Sequence, residues 1–464
     1  MKKLILLFIY ILSVGVCFAQ TSNNSVTGIW KGDLKVSGIS LKIVFNISEK
    51  DGVLITTVDS PNQGARGIPT ESTTLSGNDI VVEMPNMGAK YKGTIDGLVI
   101  KGTFTQGGMA IPLELSKQTG DEEEETVAVQ DPNAGKYTST DIKFRNEKDG
   151  ITLAGTITYP KDKTNCPAVI LLTGSGAQNR DEELFGQKPF LRIADRLSAN
   201  GIAVLRFDDR GFAQSEGNLQ TATSYDFVTD ALAAYEFMKT YPGIDSKKIG
   251  FIGHSEGAGV GAMAAAENKD IAFVVMLAGT ALPGDSILIL QAEKINRASG
   301  MGEEALKIDY KMRSGIYSIV KNEPDNEKAS VRITEYVNGL SDYPAEQKKM
   351  LIDAFVKVVL NPWMRAFIAF DPAPYLAKLT CPVLAFWGSK DLQVPAKENI
   401  GKLSEIILKS KKKNFSIITI EGVNHLFQEA ESGLTSEYAN TNNAVMNDET
   451  LDKLQDWLDN YLLK

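Results

Sequence analysis

From residue 137 onward, short and almost unbroken apolar runs (168–172, 203–207, 249–252, 272–277, 383–386 and 415–420) alternate with stretches whose apolar residues recur at helical spacing, such as 189–198 and 225–241. A strand that is apolar on both faces must be covered on both faces. Helices inserted between successive strands do this by returning the chain to the same edge, which makes the strands parallel. The pattern therefore predicts a doubly wound, mostly parallel α/β sheet over 137–464, led in by an antiparallel pair at 141–145 and 152–159. One interval breaks the rhythm. Residues 285–375 carry helical patterns (285–298, 303–321, 345–359) with no strand-like run, far more chain than a crossover needs. This predicts an inserted helical cap. Its aromatic residues Trp363, Phe367 and Phe370 are read either as internal packing, the commoner fate of large apolar side chains, or as a substrate wall.

The preceding chain is built differently. Residues 26–117 read as short alternating strands (30–36, 41–47, 54–60, 80–84, 91–95, 98–104, 110–115) with Gly, Asn and Pro between them, and Asp96-Gly97 is a hairpin signal. A small antiparallel barrel or sandwich is expected, without a nucleophile and base of its own. Residues 118–136, with the acidic run 121–125, read as a solvated linker. At ~150 residues per domain, 464 residues accommodate this division. At the start, Lys2 and Lys3, the apolar run 4–16 and the small residues Cys17 and Ala19 predict a signal segment over 1–19. The run is short of the ~20 residues needed to span a bilayer. The expectation is export, periplasmic or secreted, without a transmembrane anchor. Lipidation at Cys17 is the alternative, disfavoured by the bulky Val16 before it.

A net charge of -9 disfavours a nucleic-acid partner through phosphate repulsion. The chain has only two histidines, His254 and His425. That nearly excludes a catalytic zinc shell built on imidazoles, and no metal or cofactor is expected.

Gly253-His254-Ser255-Glu256-Gly257 falls between the strand run 249–252 and a small-residue helical run 258–266. This is the setting a G-x-S-x-G nucleophile elbow requires, a strand turning sharply into a helix with Ser255 Oγ projecting at the sheet edge. The competing reading is a tight turn with a capping serine. A serine hydroxyl needs a base and an orienting acid. His254, adjacent in the elbow, would point away from the hydroxyl, which leaves His425, in a loop just after the last strand. The acid is expected between them, and Asp391 follows the strand 383–386. Asp371 and Glu421 are its rivals. Donors to a developing oxyanion are expected from the backbone N–H groups of Glu256 and of Ser175, in the loop Thr173-Gly174-Ser175-Gly176. That loop lacks the spacing of a phosphate-binding P-loop. Arg180 and Arg210, in charged clusters on the same edge, either orient substrate or brace the loops by ion pairs.

With Leu171 to Glu182, Arg206-Phe207-Asp208-Asp209-Arg210-Gly211, Gly253 to Gly257 and Gly388-Ser389-Lys390-Asp391 in hand, the chain resembles serine hydrolases of the α/β-hydrolase fold over 137–464. More narrowly, it resembles exported bacterial esterases with an N-terminal lipocalin-like β domain, whose opening Gly28-Ile29-Trp30-Lys31-Gly32 matches. The resemblance implies Ser255 as nucleophile, Asp391 as acid and His425 as base. It also implies a small-molecule ester substrate, cleavage of amides by an aminopeptidase or acyl-peptidase being the alternative and a ligand-binding scaffold the second. Two positions depart from the family: Thr173 stands where relatives often have His, and Phe212-Ala213 where they have Val-Gly. The family's strand order places the strands after Cys166 and Cys381 three apart, about 14 Å, too far for a disulfide.

Overall fold

The computed structural model describes residues 26–36, 39–63, 65–84, 89–106, 109–119, 131–161, 163–439 and 445–462. The segment 1–19 and the acidic run 121–125 lie outside the described residues.

The N-terminal region is one curled antiparallel sheet of nine strands. These are β1 (Gly28–Val36), β2 (Ile39–Lys50), β3 (Val53–Ser60), β4 (Ala65–Pro69), β5 (Ser72–Ser76), β6 (Asp79–Met84), β7 (Ala89–Asp96), β8 (Val99–Gln106) and β9 (Met109–Lys117). They are ordered β4-β3-β2-β1-β9-β8-β7-β6-β5, a half-barrel. Period-two alternation turns Trp30, Phe45, Ile80, Tyr91, Phe104 and Leu115 onto the inner face, where they are buried. Tyr91 takes its hydroxyl into this core, donates it to the Leu113 carbonyl at 3.1 Å and meets Phe45 edge to face. The hairpin expected at Asp96-Gly97 joins β7 to β8, Asp96 pairing with Val99. β4 and β5 give no sequence signal.

The second sheet has eight strands in the order β10-β11-β13-β12-β14-β15-β16-β17. β10 (Tyr137–Asn146) and β11 (Ile151–Pro160) form the antiparallel entry. β12 (Cys166–Leu172), β13 (Ala203–Phe207), β14 (Ile244–His254), β15 (Val274–Leu277), β16 (Val383–Gly388) and β17 (Phe415–Ile420) run parallel. The apolar runs are explained by burial on two faces. In β12, Ala168, Ile170 and Leu172 belong to the core shared with α2 (Ser224–Thr240), α3 (Glu256–Glu267) and α10 (Ala396–Ser410), while Val169 and Leu171 belong to the core shared with α1 (Pro189–Ala199) and α11 (Asp448–Leu462). Cys166 and Cys381 are both free thiols, and β14 and β15 lie between the strands they precede.

The interval after β15 is helical, as expected: α4 (Gly284–Ala298), α5 (Glu303–Asn322), α6 (Asn326–Gly339), α7 (Ala345–Val359), α8 (Pro362–Ala369) and α9 (Ala373–Lys378). The cap has a core of its own from Met312, Ile316, Val320, Ile333, Val337 and Ile368. Its aromatics make internal contacts, Phe367 packing against the main core. Phe370 is buried in the main core. Trp363 stacks on Phe367, with centroids 5.3 Å apart, and reaches down toward the sheet edge.

Candidate active site

In a parallel sheet the carboxyl ends of the strands share one edge, and loops leaving that edge meet. Residues 173–175 leave β12, 208–210 leave β13, Ser255 follows β14, Asp391 follows β16 and His425 follows β17.

Ser255 occupies the turn between β14 and α3 with φ 50° and ψ -113°, a region that L-residues adopt only under constraint. The constraint is close packing. A Cβ on Gly253 would lie 2.1 Å from the Gly257 carbonyl oxygen, and one on Gly257 would lie 2.1 Å from that of Leu172. Only glycine fits either place. The Ser255 backbone N–H donates to Leu277 O at 2.8 Å, which ties the turn to β15. Its side chain makes no capping hydrogen bond, so the capping-serine reading does not describe this turn.

His425 Nδ1 lies 2.8 Å from Asp391 Oδ2, with both side chains buried. The other Asp391 oxygen, Oδ1, accepts the backbone N–H groups of Gln393 and Val394, each at 2.8 Å. Three donors thus converge on one carboxylate. The imidazole proton is held on Nδ1, which leaves Nε2 its lone pair. The His425 loop is fixed by the Asn424 side chain, whose Oδ1 accepts from the backbones of Leu426 and Gln428. The rival acids are engaged elsewhere: Asp371 accepts from Ala373 N, and Glu421 from Ser389 Oγ.

The loop after β12 is held from below. Thr173 Oγ1 donates to Asp209 Oδ1 at 2.5 Å, and Gln178 N to Asp209 Oδ2 at 2.9 Å. Burial keeps the Asp209 carboxyl well above the usual carboxylate range, despite these two donors. Thr173 therefore has a defined partner where relatives often carry His. The Gly174 N–H donates to Glu182 Oε1 at 2.6 Å. Among the described residues, neither the Ser175 nor the Glu256 N–H is given to a backbone or side-chain acceptor. A small, partly open recess beside this loop is lined by Leu172, Phe207, Phe227 and Val260, with Asp209 and Asp230.

Arg180 and Arg210 are both engaged in ion pairs. Arg180 bonds Asp208 at 2.7 Å and Asp141 at 3.1 Å. Arg210 bonds Asp230 at 2.7 Å and Asp149 at 2.6 Å. These tie the loops after β12 and β13 to each other, to the antiparallel entry strands and to α2. Ala213 in the second of these loops has φ 47°, a conformation favouring the glycine that relatives carry there.

Two features of the site carry no short-range sequence signal. His254 Nδ1 pairs with Glu182 Oε1 at 2.8 Å. The Glu256 side chain, directly after Ser255, accepts from Trp363 Nε1 at 2.8 Å and from Ser224 Oγ at 2.5 Å through Oε1, while its Oε2 has no partner. Burial raises the Glu256 carboxyl above its ordinary value, the two donors opposing. Among the described residues no cluster of His, Cys, Asp or Glu has the makings of a metal site.

A doubly wound sheet carrying a serine on a strained strand-to-helix turn and a buried His–Asp pair on the neighbouring loops defines an α/β-hydrolase. Residues 188–431, more than half of the chain, match the family described as Serine aminopeptidase, S33 (Hydrolase_4), and the chain belongs to it. It is 29% identical over 283 residues to Esterase EstD of Thermotoga maritima, a match spanning 61% of this chain and 60% of that protein's length. Among solved structures it is similar to the Pyrococcus furiosus esterase Pf2001, with a TM-score of 0.44, 16% identity and coverage of 74% of this chain and 96% of the other. It is also similar to Est1E of Butyrivibrio proteoclasticus with ferulic acid bound, with a TM-score of 0.42, 19% identity and coverage of 70% and 100%.

Proposed function

We propose that this chain hydrolyses carboxylic esters through an acyl-enzyme formed on Ser255. His425 Nε2 takes the proton as Ser255 Oγ attacks the ester carbonyl, and Asp391 holds the imidazole in the tautomer that permits it. The N–H groups of Glu256 and Ser175 receive the negative charge of the tetrahedral intermediate. His425 then returns the proton to the departing alkoxide. Water, activated by the same imidazole, releases the acid. The observation that carries this reading is the 2.8 Å His425–Asp391 hydrogen bond on the same edge as a serine held at φ 50°. Likeness to EstD supports ester over amide as the bond cleaved.

The test is direct. A fluorophosphonate should label Ser255 in folded protein, and short-acyl nitrophenyl esters should turn over faster than aminoacyl nitroanilides. Absence of labelling would overturn the serine mechanism. Faster amide turnover would favour the aminopeptidase reading, which the family's own description supports. The leader-like segment further supports export, checked by the N-terminus of the protein recovered from cells: a chain beginning at Met1 would refute it.

A further inference from the structure

The elbow histidine is too close to Ser255 in sequence to serve as its base, yet it is one of the most constrained side chains in the site. His254 is 5% exposed and Glu182 is 5% exposed. One oxygen, Glu182 Oε1, accepts the Gly174 N–H at 2.6 Å and lies 2.8 Å from His254 Nδ1. On the other side of the ring, His254 Nε2 is 2.9 Å from the His425 carbonyl oxygen. A carbonyl only accepts, so that nitrogen carries a proton. The two imidazole centroids are 4.8 Å apart.

We infer that His254 and Glu182 are a positioning pair that locks the oxyanion loop, the nucleophile elbow and the backbone of the catalytic base into one rigid body. The inference rests on the ester-hydrolase reading above. Its geometry follows the reaction's requirements. Gly174 immediately precedes Ser175, whose N–H is the proposed second oxyanion donor, so the Glu182 bond fixes where that donor points. The approach is close: a Cβ on Gly174 would lie 3.0 Å from Glu182 Oε1, 3.3 Å from His254 Nδ1 and 3.4 Å from Ser255 Cβ. His254 is the residue before Ser255, and its Nε2–H holds the carbonyl of the residue that takes the serine proton. One ring therefore spans the loops after β12, β14 and β17. Glu182 is itself braced: it has φ 51°, and its loop neighbours Arg180 and Asp181 are tied to Asp208 and to Arg206.

The charges facing the ring agree with an imidazolium. Burial alone would lower the His254 pKa, but the Glu182 charge, its hydrogen bond, the His425 carbonyl and the charge of Asp391 outweigh it and raise it. Placement to a fraction of an ångström matters because oxyanion donors act only where charge develops.

The experiment uses Glu182→Gln in the full chain, with active sites counted by the fluorophosphonate burst and kcat expressed per labelled site. The expected result is a kcat roughly tenfold to a hundredfold lower, with KM changed by less than about threefold, since the oxyanion contact is made only in the transition state. A side chain that merely supports folding would reduce the number of labelled sites and leave kcat per site unchanged, and that result overturns the proposal. Should this variant not fold, Glu182→Asp keeps the charge but falls a methylene short of spanning both partners, and at least a fivefold loss per site is expected. The unsubstituted protein offers a second reading. With two histidines in the chain, 15N-imidazole spectra should show His254 protonated on both nitrogens at neutral pH, and a neutral ring titrating freely with solvent overturns the pairing. If unsubstituted protein is not labelled at all, the ester-hydrolase reading fails instead, so the two failures are distinguishable.

Discussion

Replacing Asp391 with asparagine tests the site at its most determinate point, because the surrounding hydrogen bonds dictate how the amide must sit. Asp391 Oδ1 receives two backbone donors, from Gln393 and Val394, and Oδ2 receives the imidazole. In Asp391→Asn the amide oxygen must stay with the two backbone N–H groups, since turning it away would leave both unpaired in a buried site and set an NH2 against them. The NH2 therefore faces His425 Nδ1. Two donors cannot bond each other, so the ring shifts its proton to Nε2, and the nitrogen that should accept the serine proton is blocked. A neighbouring acid cannot take over, because Asp371 and Glu421 are bonded to Ala373 N and Ser389 Oγ. For a triad in the wrong tautomer the loss in kcat is ~10^4-fold, or about 5.4 kcal/mol at 1.36 kcal/mol per decade.

The change is nearly isosteric, so the protein should remain folded, with loss of the charged bond costing about 1–3 kcal/mol of stability. The assay is kcat and KM on a short-acyl nitrophenyl ester, with folding followed by circular dichroism and Ser255 reactivity by the rate of fluorophosphonate labelling. The double variant Ser255→Ala/Asp391→Asn should be no slower than Ser255→Ala alone, because residues of one relay are not additive. A folded Asp391→Asn protein retaining more than a tenth of the parent kcat would refute the assignment of both the acid and the tautomer.

Three further outcomes follow from the local geometry. Ser255→Gly should abolish turnover yet melt at or above the parent temperature, because the φ of 50° costs serine ~1–3 kcal/mol that glycine avoids; a clearly less stable variant would contradict the strain. Trp363→Phe removes the indole donor to Glu256 at 2.8 Å, a bond of about 1 kcal/mol between cap and elbow, and should speed limited proteolysis within 284–378 and raise KM more than it lowers kcat; an unchanged cleavage rate would count against a latch. Burial raises the Asp209 pKa well above that of the unfolded chain, so native stability attributable to it is full in acid and falls as pH rises from the unfolded toward the native pKa, by up to about 1.4 kcal/mol per pH unit. Asp209→Asn should therefore show a flatter fall in urea midpoint than the parent as pH rises above the ordinary carboxylate range, and an identical slope would exclude Asp209 as its source.

How much of the fold can be read in advance depends on how strongly burial stamps its period on the sequence. The parallel strands are legible because both their faces are covered, and β14 to α3 is legible because an apolar run changes period across one serine. β4 and β5 are not: in β5 one residue of five is buried, so there is almost no alternation to detect. α6 escapes for a related reason. Its buried residues Ala329, Ile333 and Val337 form a single line along an otherwise polar helix. In the site, Ser255, Asp391 and His425 are each marked by position after a strand, a property of the local sequence. Glu182 and Trp363 are marked only by what they touch. Their partners lie 72 and 107 residues away, and a glutamate in a charged loop or a tryptophan on a helix gives no sign of which distant group it will meet.

The histidine count links the two kinds of knowledge. With two imidazoles in the chain, setting one aside as base leaves the other as the candidate, an elimination that needs no structure. What elimination leaves unexplained is why the excluded histidine should be held so tightly beside Ser255. Its surroundings supply the reason. Three buried acids, Glu182, Asp209 and Glu256, lie around the elbow and the oxyanion loop, and no arginine pairs with any of them among the described residues. Burial answers this differently at each: Asp209 and Glu256 have their pKa values raised, whereas Glu182 lies against His254, whose own pKa is raised in turn. His254 thus sits between the oxyanion loop and His425, held by Glu182 on one side and by the His425 carbonyl on the other. Its two ring nitrogens engage the elements that must not move, the oxyanion loop through Glu182 and the backbone of His425 directly. On this argument the elbow histidine is a positioning group, and its replacement should cost transition-state stabilisation even where the fold survives.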